Sequence, residues 1–467
     1  MEEKKLNRSL SPLNVWSIAL GCIIGWGAFV MPGNLFLDSA GPLGTAIGLS
    51  IGAIIMIIIS LSYGYMIQRF PVAGGEFAYA YKSYGRTHAY ICAWFLGLSY
   101  LSIVPLNATA LALMFRALFP GLLEIGFLYT IAGWDVYLGE VLLSSFALIL
   151  FGYTNIKGIK VSGKLQTVLA LTLVSSILLL TIVALFSPNT DFNHLTPLFS
   201  PKQSPISGIL SIIAIAPWAY VGFDSIPQAA EEFNFSSKKS LRIMIIAIIL
   251  GGLMYISLNT ITALVLPWQD LINSNPVWAT GYAVEVLMGK TGLFILSIAL
   301  VAAVLTGIIG FYMASSRLLY SIARASALPD WFAYLDPKTL TPKNSILFVM
   351  IISLLAPWFG RQVLLWIVDM ASIGAAIGYF YTSSSTFLLL YREKSKLRLK
   401  WISLLGSILS IGFVLLLVLP GLPTSLVIQS RIALFVWVML GIVFYLMSIK
   451  KYRNLSNEDL NQLIIKQ

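Results

Sequence analysis

Long apolar runs joined by short polar stretches make up most of this chain. A helix needs roughly 20 apolar residues to cross about 30 Å of hydrocarbon. Twelve runs are read as membrane spans, at about 12–37, 41–69, 86–118, 136–153, 161–186, 206–232, 240–266, 292–325, 344–359, 362–391, 401–419 and 430–449. Two of them are interrupted in the middle by helix-disrupting residues. The first reads Leu20-Gly21-Cys22-Ile23-Ile24-Gly25-Trp26-Gly27-Ala28-Phe29. The second, about 195 residues later, reads Ala216-Pro217-Trp218-Ala219-Tyr220-Val221-Gly222-Phe223-Asp224. An unpaired backbone N–H or C=O in lipid costs several kcal/mol, so such backbone persists only where protein covers it or where it lines a polar cavity.

Dividing the chain near residue 195 gives two five-span halves, about 12–186 and 206–391, each opening with a broken helix. Two further spans lie at about 401–449. Five spans per half force the halves into opposite orientations. The expected fold is therefore an all-α integral membrane protein of 12 transmembrane helices in one membrane domain, residues 1–467. It is a 5+5 inverted repeat with helices 1 and 6 broken, plus two C-terminal helices. Paired interruptions of this kind mark the substrate site of secondary transporters.

The net charge of +11 changes the picture only through its distribution. With both termini inside, 25 of the 30 basic residues, from Lys4 and Lys5 through Lys160 and Lys396 to Lys466, fall on the cytoplasmic side. Only Arg116, Lys202, Lys290, Arg361 and Arg431 fall outside. This is the positive-inside asymmetry of a multi-pass protein, and it argues against a nucleic-acid partner. Hydrophobic residues are 58% of the chain, charged residues 10%, and the mean hydropathy is +0.86, which excludes a soluble globular domain. The polar start from Glu2 to Ser9 leads into a run too long and too glycine-interrupted for a signal-peptide core. Cys22 and Cys92 both lie in spans, and His88 and His194 are far apart, so no disulfide framework, metal site or cofactor is expected.

The breaks carry the candidate chemistry. A half-helix starting near Gly27 presents free N–H groups and the positive end of its dipole, which suit a carboxylate. A half-helix ending near Ile23 presents free carbonyls, as do Trp218 and Val221 in the second break, and these suit an ammonium group. An amino acid carries both groups on one carbon. Gly25, Gly27 and Gly222 let backbone approach a ligand closely. Gly21-x-x-x-Gly25 and Gly374-x-x-x-Gly378 also fit helix packing, and that is the reading for Gly21 and Gly374. The loop Pro71-Val72-Ala73-Gly74-Gly75-Glu76-Phe77-Ala78-Tyr79-Ala80-Tyr81 and its counterpart Ala327 to Phe332 mix aromatic and polar residues, as interfacial or re-entrant helices do.

Four segments resemble a known family. Gly25-Trp26-Gly27-Ala28-Phe29 is similar to the Gly-small-Gly-x-Phe element of helix 1 in the amino acid–polyamine–organocation superfamily of permeases. Pro71 to Tyr81 resembles its P-x-[AG]-G-G-E-x-x-Y signature. Ala219 to Asp224 with Glu231-Glu232 resembles its helix 6 element, and Asp369 to Gly374 its helix 10. The resemblance implies that a substrate amine meets the carbonyls of Ile23, Trp218 and Val221. Its carboxylate would meet the amides around Trp26, Gly27 and Ala28, and Phe311 on helix 8 would wall the side-chain pocket. Position 26 is usually Ser or Thr in that family. An indole there either shrinks the pocket or turns away into a neighbouring helix.

Asp224 is the ionisable residue nearest a break. Such a group at membrane depth is a functional candidate by default. It could carry a proton or sense substrate; alternatively it caps the second half of its broken helix. Some members of the resembled family place a Lys in the middle of helix 5, whereas Lys157, Lys160 and Lys164 sit at the inner end here and Val168 to Ala184 holds no charge. Thr306, Ser315 and Ser316 could supply oxygens to a sodium site, and equally serve as helix–helix glue. Glu231 and Glu232 are expected beside Lys238 and Lys239.

The expected function is transport of amino acids, neutral ones first, across the cytoplasmic membrane by alternating access, with proton coupling or exchange. The alternative is a cationic amino acid or polyamine carrier. Membrane lipid and a monomer or homodimer complete the expectation. No cluster fit for a membrane-embedded enzyme is visible. A purely structural subunit has no need of exposed helix ends.

Overall fold

The computed structural model describes residue 6 and residues 8–131, 133–394, 397–422 and 424–465. Of the basic residues weighed above, Lys4, Lys5, Lys396 and Lys466 lie outside the described residues, as do the side chains of Lys160 and Arg361. The first half runs α1 (Pro12–Ile24), α2 (Gly27–Met31), α3 (Leu37–Arg69), α4 (Gly75–Tyr84), α5 (Arg86–Leu118), α6 (Leu138–Ile156) and α7 (Ile159–Phe186). The second runs α8 (Pro205–Ala214), α9 (Ala216–Ala219), α10 (Ser225–Gln228), α11 (Ser240–Leu264), α12 (Trp268–Asn273), α13 (Ala279–Arg324), α14 (Lys343–Ser353) and α15 (Gly360–Arg392). α16 (Leu397–Val418), α17 (Ile428–Asn454) and α18 (Asn457–Ile464) follow.

Among the described residues ten helices are long and apolar enough to cross a membrane, and two shorter apolar helices lie at Pro205–Ala214 and Lys343–Phe359. Helix starts follow local chemistry. Ser11 caps α1 through a reciprocal pair with Asn14, and Pro12 occupies the first turn, where its missing N–H is harmless. Two long helices hide a bend at glycine: Gly41 in α3 (φ 71°, ψ 178°) and Gly289 in α13 (φ 64°, ψ −164°). The second explains why hydropathy starts the eighth span near residue 292 although helix begins at Ala279.

β structure among the described residues is confined to an antiparallel hairpin, β1 (Phe127–Ile131) with β2 (Trp134–Tyr137), and one parallel bridge between Leu10 and Phe233. The hairpin takes up Tyr137 and Val136, so the fourth span starts at Leu138 rather than at 136.

Burial sorts the helices into inner and outer. The most apolar windows of α1–α2 and α5 are 83% buried, against 33% for α7 and α16 and 11% for α17. The broken first helix is thus central, and α17 presents its side to lipid. Both described ends of the chain meet one end of the bundle, called here the terminal face. Ser9 and Leu10 donate their N–H groups to the Glu232 carbonyl, each at 3.0 Å. Arg86 closes the end of α17 by donating to the carbonyls of Tyr452, Arg453 and Leu455 at 2.7–3.0 Å. The hairpin and α12 lie at the far face.

Candidate functional site

The first break is a clean interruption. α1 ends at Ile24 with Gly25 at its C-cap (φ 44°, ψ −156°), and helix resumes at Gly27. That φ is a conformation only glycine adopts without strain. The Gly25 N–H donates back to Gly21 at 3.3 Å, and the Phe29 N–H donates to Trp26 at 3.1 Å. The amides of Gly27 and Ala28 head α2 and have no partner within it. At the other half-helix end, the Tyr255 hydroxyl on α11 bridges the carbonyls of Ile23 and Ile24, at 3.2 and 3.3 Å.

The second break is held from three sides by tyrosine hydroxyls. Tyr220 donates to the Leu49 carbonyl at 2.8 Å, Tyr100 to Asp224 at 2.9 Å and Tyr379 to Pro217 at 3.4 Å. Gly222 lies at φ 136°. A Cβ there would stand 2.6 Å from the Cys22 Cβ and 2.7 Å from the Ile23 nitrogen. The backbones of the two breaks are therefore in direct contact. The Trp218 carbonyl accepts the Val221 N–H at 3.3 Å, so it is partly engaged in its own turn.

Trp26 turns toward the second break rather than away from it. Its ring centroid lies 5.7 Å from that of Trp218 at a 60° tilt, and both side chains are 5% exposed. The Trp218 ring in turn occupies the space beside Gly27, where a Cβ would come within 2.4 Å of it. Phe311 on α13 is fully buried, its ring 5.9 Å from that of Tyr100, which anchors Asp224. The structure thus gathers Ile23, Gly25, Trp26, Gly27, Ala28, Trp218, Val221, Gly222 and Phe311 around the two breaks. Gly21 and Gly374 sit in close helix contacts, against Thr306 and the Phe95 carbonyl respectively.

Asp224 does not cap its helix in the expected way. It holds the N-cap position of α10, but its side chain makes no bond to the amides of that helix. Its Oδ1 instead accepts the Gly222 N–H at 2.7 Å, which the positive φ of Gly222 aims back at the carboxylate. Oδ2 has no partner among the described residues.

A sequence model of the amino acid permease family matches residues 10–445. The chain belongs to the amino acid permease family. It is 25% identical over 462 residues to a methylthioribose transporter of Bacillus subtilis, covering 97% of this chain and 95% of that protein. The branched-chain amino acid permease BcaP of the same organism is 23% identical over 468 residues, covering 97% and 96%. A human large neutral amino acids transporter small subunit 2 is 26% identical over 360 residues, covering 75% of this chain and 64% of that protein. With its apolar helices, this permease is a multi-pass membrane protein.

Several groups around the breaks of this permease escape a hydropathy reading. Gln166, a lone amide in the span of α7, donates to the Thr306 carbonyl at 3.0 Å and to that of Ser17 at 3.5 Å, tying α7 to α13 and α1. Asn107 on α5 donates to Ile103, while its unpartnered Oδ1 lies 3.3 Å from where a Gly25 Cβ would be. Both are isolated amides inside apolar runs, and that isolation is the signal that could have found them. Tyr100 and Tyr255 carried no such signal among 21 tyrosines.

Glu231 and Glu232 pair with arginines of α13 rather than with Lys238 and Lys239. Arg317 lies 2.8 Å from Glu232 with both side chains 1% exposed, and Arg324 lies 3.5 Å from Glu231. Thr306, Ser315 and Ser316 do not converge: Thr306 donates to Ala303, Ser316 to Met313, and Ser315 faces an apolar cavity of about 290 Å³ beside α17. Asp369 accepts from Ser430 on α17 at 2.9 Å, a bond between two helices.

Proposed function

We propose that this permease is a secondary active transporter that moves a neutral amino acid across the cytoplasmic membrane by alternating access. The observation that carries the reading is the backbone contact between the two breaks, Gly222 against Cys22 and Ile23. It supports a site in which a carbonyl end, an amide end and aromatic walls share one small volume. The substrate amine meets the carbonyls of Ile23 and Val221, with Trp218 contributing mainly its ring. The carboxylate meets the amides of Trp26, Gly27 and Ala28 at the head of α2. Trp26, Trp218 and Phe311 enclose the side chain, and Asp224 fixes the Gly222 turn that gates the site.

In this reading the chain crosses the membrane twelve times as two inverted five-helix halves, 12–186 and 206–391, followed by two further helices. The terminal face is cytoplasmic, with both termini inside. A cavity of about 420 Å³ at the far face, lined by Arg116, Glu124, Trp278 and Glu285, supports an outer entry path. Trp278 donates to the Phe29 carbonyl at 2.9 Å and so joins that cavity to α2. Surrounding lipid is the solvent, and a monomer or homodimer suffices.

A second reading, a cationic amino acid or polyamine carrier, is favoured by one feature, the unpartnered Asp224 Oδ2. Counterflow in proteoliposomes separates the readings. Leucine, phenylalanine, lysine, putrescine and methylthioribose are each labelled in turn and exchanged against their own unlabelled form. Exchange by the neutral amino acids, and not by lysine or putrescine, is expected. Exchange confined to lysine or putrescine selects the second reading, and no exchange with any of the five overturns both.

A further inference from the structure

Five acidic side chains are buried among the described residues: Glu76, Glu140, Asp224, Glu231 and Glu232. Three of them face arginine, with Arg116 at 2.6 Å from Glu140, Arg324 at 3.5 Å from Glu231 and Arg317 at 2.8 Å from Glu232. Asp224 is held by the Gly222 amide. No cation among the described residues faces Glu76; the donors around its carboxyl are its own backbone N–H, the Tyr63 hydroxyl and the Gln228 amide. It is 0% exposed; its Oε2 accepts a hydrogen bond from the Gln228 side-chain amide at 2.6 Å, and its Oε1 has no partner within hydrogen-bonding geometry among the described residues.

The placement is built by a double glycine. Gly74 and Gly75 begin α4 with φ of 80° and 22°, and a Cβ on either would fall within 2.4 Å of Ser321 or Pro227. α4 is therefore seated directly on α10 and α13, which brings Glu76 under Gln228, one helical turn beyond Asp224. The titratable groups facing Glu76 are Tyr63 on α3, Tyr79 on α4 itself, Cys92 and Tyr100 on α5, Tyr379 on α15, and Asp224 at the start of α10. None of these carries positive charge. The Tyr63 hydroxyl stands beside the carboxyl as a donor, and the buried Gln228 Oε1 has no partner of its own among the described residues, so both a donor and an acceptor lie close to Glu76. An ionised carboxylate without a countercharge is strongly disfavoured in such a setting, and the group takes up a proton instead.

We propose that Glu76 is a proton-binding site of this permease. It holds a proton on Oε1 while the terminal face is closed and α4 rests on α10. It releases that proton to water when α4 parts from α10 and the face opens. The Gln228 amide donates to Oε2 in the closed arrangement, and separation of the helices breaks that bond as it lets water reach the carboxyl. This rests on the transporter reading above and extends it from substrate to coupling ion.

The test compares Glu76→Gln with wild type in proteoliposomes, using labelled leucine. Exchange at equal pH on both sides should stay within about twofold of wild type, because Gln mimics the protonated acid. Accumulation driven by a pH gradient, present in wild type, should be lost. Gradient-driven accumulation by the variant at the wild-type level overturns the proposal. So does wild-type exchange that no pH gradient can drive, an outcome that leaves the transporter reading intact; absence of wild-type exchange sinks that reading as well. Should Glu76→Gln fail to reach the membrane, dicyclohexylcarbodiimide labelling of the wild type decides. This reagent modifies protonated carboxyls in apolar surroundings, and mass spectrometry should find it on Glu76, increasingly so as pH falls. Labelling absent from Glu76 across the pH range overturns the proposal.

Discussion

At the scale of single residues, Asp224 shows how a short polar contact can fix a long-range geometry. Its Oδ1 accepts the Gly222 N–H, and that turn is the piece of backbone lying against Cys22 and Ile23. Removing the acceptor by Asp224→Ala leaves a buried donor unmet, which costs about 1–3 kcal/mol. Asp224→Asn keeps an acceptor oxygen in the same place and removes a buried charge. Thermal unfolding in detergent should therefore rank wild type and Asp224→Asn close together and Asp224→Ala clearly below them. Proton-driven uptake should survive in Asp224→Asn if Glu76 is the group that titrates. Equal loss of stability in both variants would mean that the charge, rather than the hydrogen bond, holds the turn.

Between elements, the Arg317–Glu232 pair is a fully buried tie at the terminal face. It joins α13 to the short 3-10 turn Ala230–Glu232 that ends the second broken helix. Breaking one partner of a buried pair strands the other charge, at about 3–5 kcal/mol, whereas replacing both is often neutral. Arg317→Met alone should lower thermal stability sharply, and adding Glu232→Gln should restore most of it. A double variant no more stable than the single one would show that the guanidinium acts through another contact. Most of this element level was legible in the chain: the runs predicted the long helices, and Gly25 and Gly222 marked the breaks. The partners of Glu231 and Glu232 were not, because Lys238 and Lys239 are near in sequence while Arg317 arrives from 85 residues away. The hairpin at Phe127–Tyr137 was hidden because the end of its second strand falls inside the run that starts the fourth span at 136. The weight of Glu76 was hidden for the same reason as that of Tyr255. A motif shows which residues are present, but not that one carboxyl is sealed off without a cation.

At the scale of the whole molecule, alternating access requires that the breaks meet water from one face at a time. The chain supplies its own reporter, Cys22, a free thiol on the last turn of α1 that is 4% exposed and packed against Gly222 and Gly310. Replacing Cys92, the other free cysteine, by Ser leaves Cys22 as the single thiol. In the closed arrangement described here it should react slowly with a membrane-impermeant maleimide from either side. The terminal face is latched by backbone bonds from Ser9 and Leu10 to Glu232 and from Asn234 to Leu10, each 3.0 Å long. Leu10→Pro deletes one donor, and each such bond contributes about 0.5–1.5 kcal/mol. The fraction open at that face should then rise several-fold, because about 1.4 kcal/mol is a factor of ten in an equilibrium constant. Modification of Cys22 from the terminal side should accelerate by that factor in Leu10→Pro and slow from the far side. Saturating substrate should protect the thiol in both proteins. Acceleration from both sides together would indicate loosening of the bundle, and no change from either would mean that the latch does not govern access to the breaks.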